Sequence, residues 1–388
     1  MKTSELYNWV KTNLNKGIFS DQSFSSLSNL TIIIPTYNRH DYLLRQLVYL
    51  SYYPIKIIVV DGSEKPLQKR FINQFTPYRN IKYHHLKISI PDRIRFALKK
   101  INTPYVMCLA DDDFYIPSGL VVAMNKLKLN KRSVACMGQS LGLDILNKKS
   151  YFFPYGKSLE KYSIVKKNSI DRIVEGIQNY RSAAFYALFK TSEFIEIWKD
   201  IQSSSCPELM EYEHAIMTYL HGGIITSNSI YWVRSFECDP VPSKIDGSRT
   251  INFAKWYKQD IYHNERSIFV NRISRIFLKK LNLSIERSSL LIVEIFDFIY
   301  KGSHKGLMNY PKHYEWMFFI KNYLQKNIFK YSTFSISRLF IVKNLKELIR
   351  HNIKKTLYNE YIKKPEKNRE YLFVLKIVDS FSNISNKK

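Results

Sequence analysis

Short apolar runs, each ended by turn residues, alternate with helix-period segments through the first third of the chain. Leu30–Ile34 is β-branched and closed by Pro35-Thr36-Tyr37-Asn38. From about Asp41 to Leu50, Leu43, Leu44, Leu47 and Leu50 recur at helical spacing. Ile55–Val60 is a second buried-strand run, closed by Asp61-Gly62-Ser63. The alternation predicts a helix near Glu64–Phe75, a strand at Ile81–His85 and a helix at Asp92–Ile101, entered through Pro91. A fourth apolar run, Tyr105–Leu109, then stops in Asp111-Asp112-Asp113. Strands that are apolar on both faces and spaced by helices predict an α/β doubly wound, mostly parallel, Rossmann-like sheet.

The rhythm then changes. A helix is expected over Ser118–Asn130, followed by strands at Ser133–Met137, Leu143–Leu146, Tyr151–Pro154 and Arg181–Phe189. A helix follows from Ser192 to about Ile201, and another opens at Pro207 and runs to Leu220. His221-Gly222-Gly223 reads as a glycine C-cap. Short strands are expected at Ile224–Ile225 and Ile230–Val233, the second ending in Arg234. Beyond Pro240 and Pro242, periodic Lys-rich segments dominate: Ile268–Leu281, Leu290–Tyr300, Trp316–Tyr323 and Leu339–Ile353. The expected organisation is a lead-in over 1–29, an α/β domain over 30–240 and a basic helical region over 250–388.

Composition narrows the class. The chain has 388 residues, 45% of them hydrophobic, enough to bury a core. Its four cysteines show no CxxC pairing, which argues against a zinc site or a disulfide framework and predicts a reducing, cytoplasmic setting. No signal-peptide core opens the sequence, and no apolar run reaches the length needed to cross a bilayer. A net charge of +27 points to a polyanionic partner. From residue 301 onward, roughly nineteen Lys and Arg stand against six Asp and Glu. Basic amphipathic helices of this kind suit an anionic membrane surface, with peripheral attachment to the inner face of the cytoplasmic membrane. Nucleic acid is the less favoured partner, because no RNP-type, zinc-knuckle or helix-turn-helix signature is present.

The chemistry concentrates at strand ends. Three adjacent carboxylates repel one another, and hard oxygen ligands suit Mg²⁺ or Mn²⁺ shared with substrate phosphates. In open α/β sheets, ligands bind at the carboxyl ends of the strands, where Pro35–Asn38, Asp61–Ser63 and Asp111–Asp113 all fall.

The combination of Pro35-Thr36-Tyr37-Asn38-Arg39, Val59-Val60-Asp61-Gly62-Ser63 and Leu109-Ala110-Asp111-Asp112-Asp113 resembles the family 2 glycosyltransferases of GT-A fold, over about residues 30–235. The resemblance implies that Pro35, Thr36, Tyr37 and Arg39 line the nucleotide-sugar site and that Asp61 hydrogen-bonds the base. It implies that the acidic motif binds ribose, diphosphate and a divalent metal. The family's usual first acid falls on Ala110, so either the three aspartates supply a shifted DxD or Asp112 and Asp113 keep the metal role. Asp113 is the expected main metal ligand, with Asp111 next. Arg93 and Arg95 stand where the family holds the diphosphate. The family's base lies at the start of a helix closed by glycine, which fits Glu211 or Glu213. Arg181 and Arg234 are candidate diphosphate or acceptor contacts. The implied reaction is sugar transfer from a nucleotide-sugar donor to a saccharide or lipid-linked saccharide, inverting and metal-dependent, in surface polysaccharide assembly. Two other classes stay open: a GT-A-fold sugar nucleotidyltransferase and a non-catalytic basic binding module.

Overall fold

The structure is a computed structural model, and it describes residues 3–14, 22–78, 80–146, 149–155, 159, 162–237, 244–245, 248–249, 251–304 and 369–385. After helix α1 (Thr3–Leu14) come β1 (Leu30–Thr36), α2 (His40–Leu50), β2 (Lys56–Asp61), α3 (Lys69–Phe75), β3 (Ile81–His85), α4 (Ile90–Leu98) and β4 (Tyr105–Cys108). β3, β2, β1 and β4 lie side by side and parallel, with β1 between β2 and β4. This is the doubly wound half that the alternating pattern predicts. The expected helix at Glu64–Phe75 begins only at Lys69, because the chain stays extended beyond Pro66 until Gln68.

The second half is mixed. It comprises β5 (Phe114–Tyr115), α5 (Pro117–Leu129), β6 (Ser133–Leu146), β7 (Lys149–Tyr155), α6 (Ser169–Gln178), β8 (Leu188–Lys190), α7 (Thr191–Trp198), α8 (Pro207–His221) and β9 (Gly223–Ser235). The sheet order is β3-β2-β1-β4-β8-β6-β9-β5, with β7 on the side of β6. β8 runs antiparallel to both β4 and β6, while β6 and β9 pair in parallel.

Four expectations change here, the first being that the strands expected at 133–137 and 143–146 are one, β6. Residues 181–189 are not one strand: Ser182–Tyr186 coil into a 3₁₀ turn, and only Leu188–Lys190 join the sheet. The two short strands expected at 224–233 are one irregular strand, β9. Gly222 is extended rather than left-handed, so it is no left-handed cap. Its missing side chain serves close packing instead, since a Cβ there would lie 2.5 Å from Val134 Cγ1.

The C-terminal helices are packed onto this sheet domain. α9 (Phe253–Lys258), α10 (His263–Leu281) and α11 (Ile285–His304) enclose Trp256 among Phe253, Phe269 and Phe296. α10 ends at Asn282, which takes the left-handed conformation that asparagine tolerates. The last described helix, α12 (Arg369–Ser385), returns to the N-terminal half: Phe381 packs on Trp9 and Tyr42, and Phe373 on Tyr49 and Tyr52. The segments expected at Trp316–Tyr323 and Leu339–Ile353 lie outside the described residues. No helix among those described is long and apolar enough to cross a membrane.

Candidate active site

The parallel register brings the ends of β1, β2 and β4 to one edge. Thr36 of β1 pairs with Asp61 of β2, and Ile33 of β1 with Cys108 of β4. The loops after β1 and β2 are stitched together: Asn38 N donates to Ser63 Oγ at 2.7 Å, and Glu64 N to Asn38 Oδ1 at 3.2 Å. Asn38 has a φ of 54°, a left-handed turn that asparagine tolerates. The Tyr37 hydroxyl donates to Glu64 Oε1, and Pro35 is the half-buried residue just ahead of it.

Asp61 is wholly buried. Its Oδ1 accepts from Ser63 N at 2.8 Å, while Oδ2 lies 2.6 Å from the Tyr83 hydroxyl and 2.8 Å from His40 Nε2. Burial alone would raise its pKa, but these hydrogen bonds outweigh that and bring it down to about 2.

The acidic loop splits its three side chains. Asp111 Oδ2 accepts from Thr36 Oγ1 at 2.6 Å, and Arg39 reaches both Asp111 Oδ1 at 3.3 Å and Asp112 Oδ2 at 2.6 Å. Asp113 turns inward: Oδ2 accepts from Trp232 Nε1 at 2.9 Å and Oδ1 from Ser235 N at 2.8 Å. Burial raises Asp111 to about 6, against the pull of Arg39. Burial, reinforced by Asp112, also raises Asp113. Asp113, the expected main metal ligand, thus has both carboxylate oxygens engaged by β9. Asp112 is the least buried of the three. Among the described residues, no group of three His, Cys, Asp or Glu side chains forms a protein-only metal cage. Asp111 and Asp112 already share one cation, Arg39. Their donor set thus fits a divalent ion that takes one or two carboxylates and fills the rest of its shell from phosphate and water.

The loop's backbone is held from α2. Gln46 Nε2 donates to the carbonyls of Ala110 and Asp113, and the buried Arg45 donates to Asp112 O at 3.0 Å while forking onto Glu237 at 2.6 and 2.9 Å. Neither residue stands out by motif. The available signal was a polar pair inside Leu43–Leu50, a run otherwise apolar enough to be buried all round, where polar groups need partners.

Arg93 and Arg95 do not join the cluster. Arg93 lies beneath the strand ends, donating to the carbonyls of Thr36 and Val60. A Cβ on Gly62 would sit 2.7 Å from its guanidinium, so a larger residue there would displace the Arg93 side chain. Arg95 pairs with Asp92 and donates to the carbonyls of Trp198 and Ile201. Arg181 folds back on the carbonyls of Asn179 and Tyr180. Arg234 does reach the site: it donates to the Tyr155 hydroxyl and carries the field of Asp113.

The two glutamates of α8 separate cleanly. Glu213 is buried and ion-paired with Arg272 of α10, Oε2 lying 3.0 Å from Nη2. Glu211 is half-buried, receives the Tyr180 hydroxyl on Oε2 at 3.3 Å and feels Arg234. Burial raises it to about 7, with Tyr180 and Arg234 pulling against that rise. Trp232, which donates to Asp113, stacks on Tyr186 at 4.9 Å, and the charges of Asp113, Glu211, Arg234 and Asp112 all bear on the Tyr186 hydroxyl.

Residues 31–189 match the model of glycosyl transferase family 2. No curated protein matches the chain. Among solved structures, S. aureus TarS 1-349 is 13% identical at a TM-score of 0.42, covering 72% of this chain and 92% of that one. The same fragment in complex with UDP-GlcNAc is also 13% identical at 0.42, over 71% and 92%. The family model takes in β1 to β8, with the loops after β1 and β2 and the three aspartates, so residues 31–189 form a glycosyl transferase family 2 domain.

Proposed function

We propose that the chain transfers a sugar, with inversion, from a nucleotide-sugar donor to a saccharide or lipid-linked saccharide acceptor in surface polysaccharide assembly. The observation that carries this reading is Glu211: a carboxylate held near neutral pKa whose charge bears on the same Tyr186 as Asp112 and Asp113. A base is most effective when its pKa lies near the operating pH. The acceptor hydroxyl oxygen bonds to the anomeric carbon while its proton passes to the Glu211 carboxylate. The bond from that carbon to the diphosphate oxygen breaks, and its electron pair leaves with the nucleoside diphosphate. Tyr180 orients the base through Oε2, and Arg234 adds positive charge beside it.

Asp112 and Asp111 would hold Mn²⁺ or Mg²⁺. A bound divalent ion offsets negative charge on the departing diphosphate. Arg39, already between these acids, adds a guanidinium suited to phosphate oxygens.

Lipid-linked acceptors and an anionic membrane surface find support on the outer faces of α10 and α11. Ile268, Leu278, Leu290 and Val293 are exposed there among Arg275, Lys279, Lys280 and Arg287.

Calorimetry with a panel of nucleotide sugars, with and without Mn²⁺, on wild type and Asp112→Ala tests the proposal. Metal-dependent binding that the substitution removes is the expected result. Failure of every nucleotide sugar to bind would sink it in favour of a non-catalytic basic module.

A further inference from the structure

Asp112 is gripped at both ends. Its side chain pairs with Arg39 at 2.6 Å, and its carbonyl accepts from Nη2 of the wholly buried Arg45 at 3.0 Å. Nη1 of the same guanidinium forks onto both Glu237 oxygens at 2.6 and 2.9 Å. The donors of a guanidinium form a rigid planar fork, so Arg45 can serve Asp112 and Glu237 together only in one orientation.

That orientation is set by aromatic rings. Arg45 Cζ lies 5.1 Å from the centroid of Tyr42, 5.0 Å from that of Phe114 and 5.2 Å from that of Phe381. Such contacts attract a cation to the ring face, more strongly where water is excluded. Tyr42 stands on α2 beside Arg45, and Phe114 directly follows the acidic loop. Phe381 is different, because it comes from α12 near the other end of the chain.

α12 is itself fastened to three elements. Glu370 accepts from Ser118 N of α5 at 2.9 Å, Asp379 from Ser150 N of β7 at 2.7 Å, and Ser380 Oγ from Trp9 Nε1 of α1 at 3.2 Å. It therefore presents Phe381 to Arg45 from a fixed backing. Glu237 and Phe381 both lie beyond residues 31–189, so the family 2 segment holds the aspartates without the groups that complete the support of Asp112.

We infer that α12 is a positioning element of the active site: Phe381 holds the Arg45 guanidinium on Glu237, and Arg45 sets the main chain of Asp112. That Asp112 meets the donor rests on the function proposed above, whereas the coupling of α12 to the loop stands on these contacts alone.

Hydrogen–deuterium exchange of the full chain without ligand reads the loop itself. Calorimetry with UDP, GDP, CDP and ADP, with and without Mn²⁺, reads the consequence. Phe381→Ala is compared in two backgrounds, wild type and Arg45→Met with Glu237→Gln. The paired substitution removes both charges, so neither is left buried and unpaired. In the wild-type background, Phe381→Ala should speed exchange over residues 108–114 about tenfold, the scale of one lost hydrogen bond from a charged donor. Mn²⁺-dependent nucleotide affinity should fall with it, and β2 should exchange as in wild type. In the background without Arg45, the same substitution should change loop exchange by less than about twofold, because its route to the loop is gone. Phe381→Leu keeps the bulk but not the ring, and gives the same comparison if the alanine variant folds poorly. Equal acceleration in both backgrounds would overturn the inference, since α12 would then support the loop without Arg45. So would faster exchange confined to α12 with the loop unchanged. If the loop responds as expected but no nucleoside diphosphate binds the wild type, the coupling stands and the proposed sugar transfer falls.

Discussion

The two sides of the cleft are built differently. On the β1–β2 side, neighbouring parallel strands deliver Thr36 and Asp61 in register, and the short loops beyond them bond directly to each other. On the α8–β9 side, the functional groups meet partners from distant elements: Glu211 meets Tyr180, Trp232 meets Asp113 of the acidic loop, and Glu237 meets Arg45 of α2. The first side is a consequence of sheet register. The second is an assembly of long-range contacts around buried charge, so single substitutions there separate chemistry from scaffolding.

Glu211 and Glu213 provide the largest effects, and opposite ones. Glu211→Gln keeps size and polarity but cannot take a proton. Turnover should fall by about 10²- to 10⁴-fold while donor affinity stays within about twofold, as read by steady-state kinetics and calorimetry. In the wild type, the base form of Glu211 accumulates as pH rises, so kcat should climb through about pH 7 and level off above it. Glu213→Ala leaves Arg272 with an uncompensated, largely buried charge. Breaking such a pair costs about 3–5 kcal/mol, visible in denaturant unfolding. The folded fraction should retain the wild-type pH profile. A shifted profile would mean that the division between the two glutamates is wrong.

Next in size is the acidic loop. Asp112→Asn removes a charged partner of Arg39 and a proposed metal ligand, and donor affinity should fall by about 2 kcal/mol, roughly thirtyfold. Asp113→Asn should act mainly on stability, because its carboxylate accepts the Trp232 and Ser235 donors and an amide offers one oxygen for the two. If Asp113→Asn instead abolishes metal-dependent binding in a protein of normal stability, the inward assignment of Asp113 fails.

These contrasts explain what could be read from the sequence. The parallel half was legible because buried strands are continuous apolar runs, and Ile81–His85 falls where the pattern put it. The acidic strand end, the two loops before it and the opening of α8 at Pro207 were legible for the same reason. Local pattern could not show which of three consecutive aspartates turns inward. That choice is made by Gln46 and Arg45, some 65 residues upstream, and by Trp232, 119 residues downstream. It could not show where Arg93 and Arg95 point, since both are consumed by main-chain carbonyls that a folded sheet edge or a neighbouring helix end leaves unpaired. Helix α6, with an Asn168 cap on Ile170 N and Asp171 N, has its own signal in the sequence: Asn, then an acid in the first turn, then Ile173 and Ile177 four apart.

The smallest expected effect is the most specific. Tyr180 donates to Glu211 and is one of the groups holding its pKa down against burial. Tyr180→Phe removes that donor without emptying the site. A hydrogen bond to the charged form favours that form, so its loss should raise the Glu211 pKa further. A bond of about 1 kcal/mol corresponds to somewhat less than one pH unit. The rising limb of the kcat profile should therefore move up by roughly half a unit or more, while the plateau at high pH stays close to wild type because Glu211 is ionised there in either protein. The direction matters more than the size. If Tyr180 instead served as an acid toward the leaving group, its removal would lower the plateau at every pH and leave the midpoint in place, and Glu211 would need a different partner to account for its tuning.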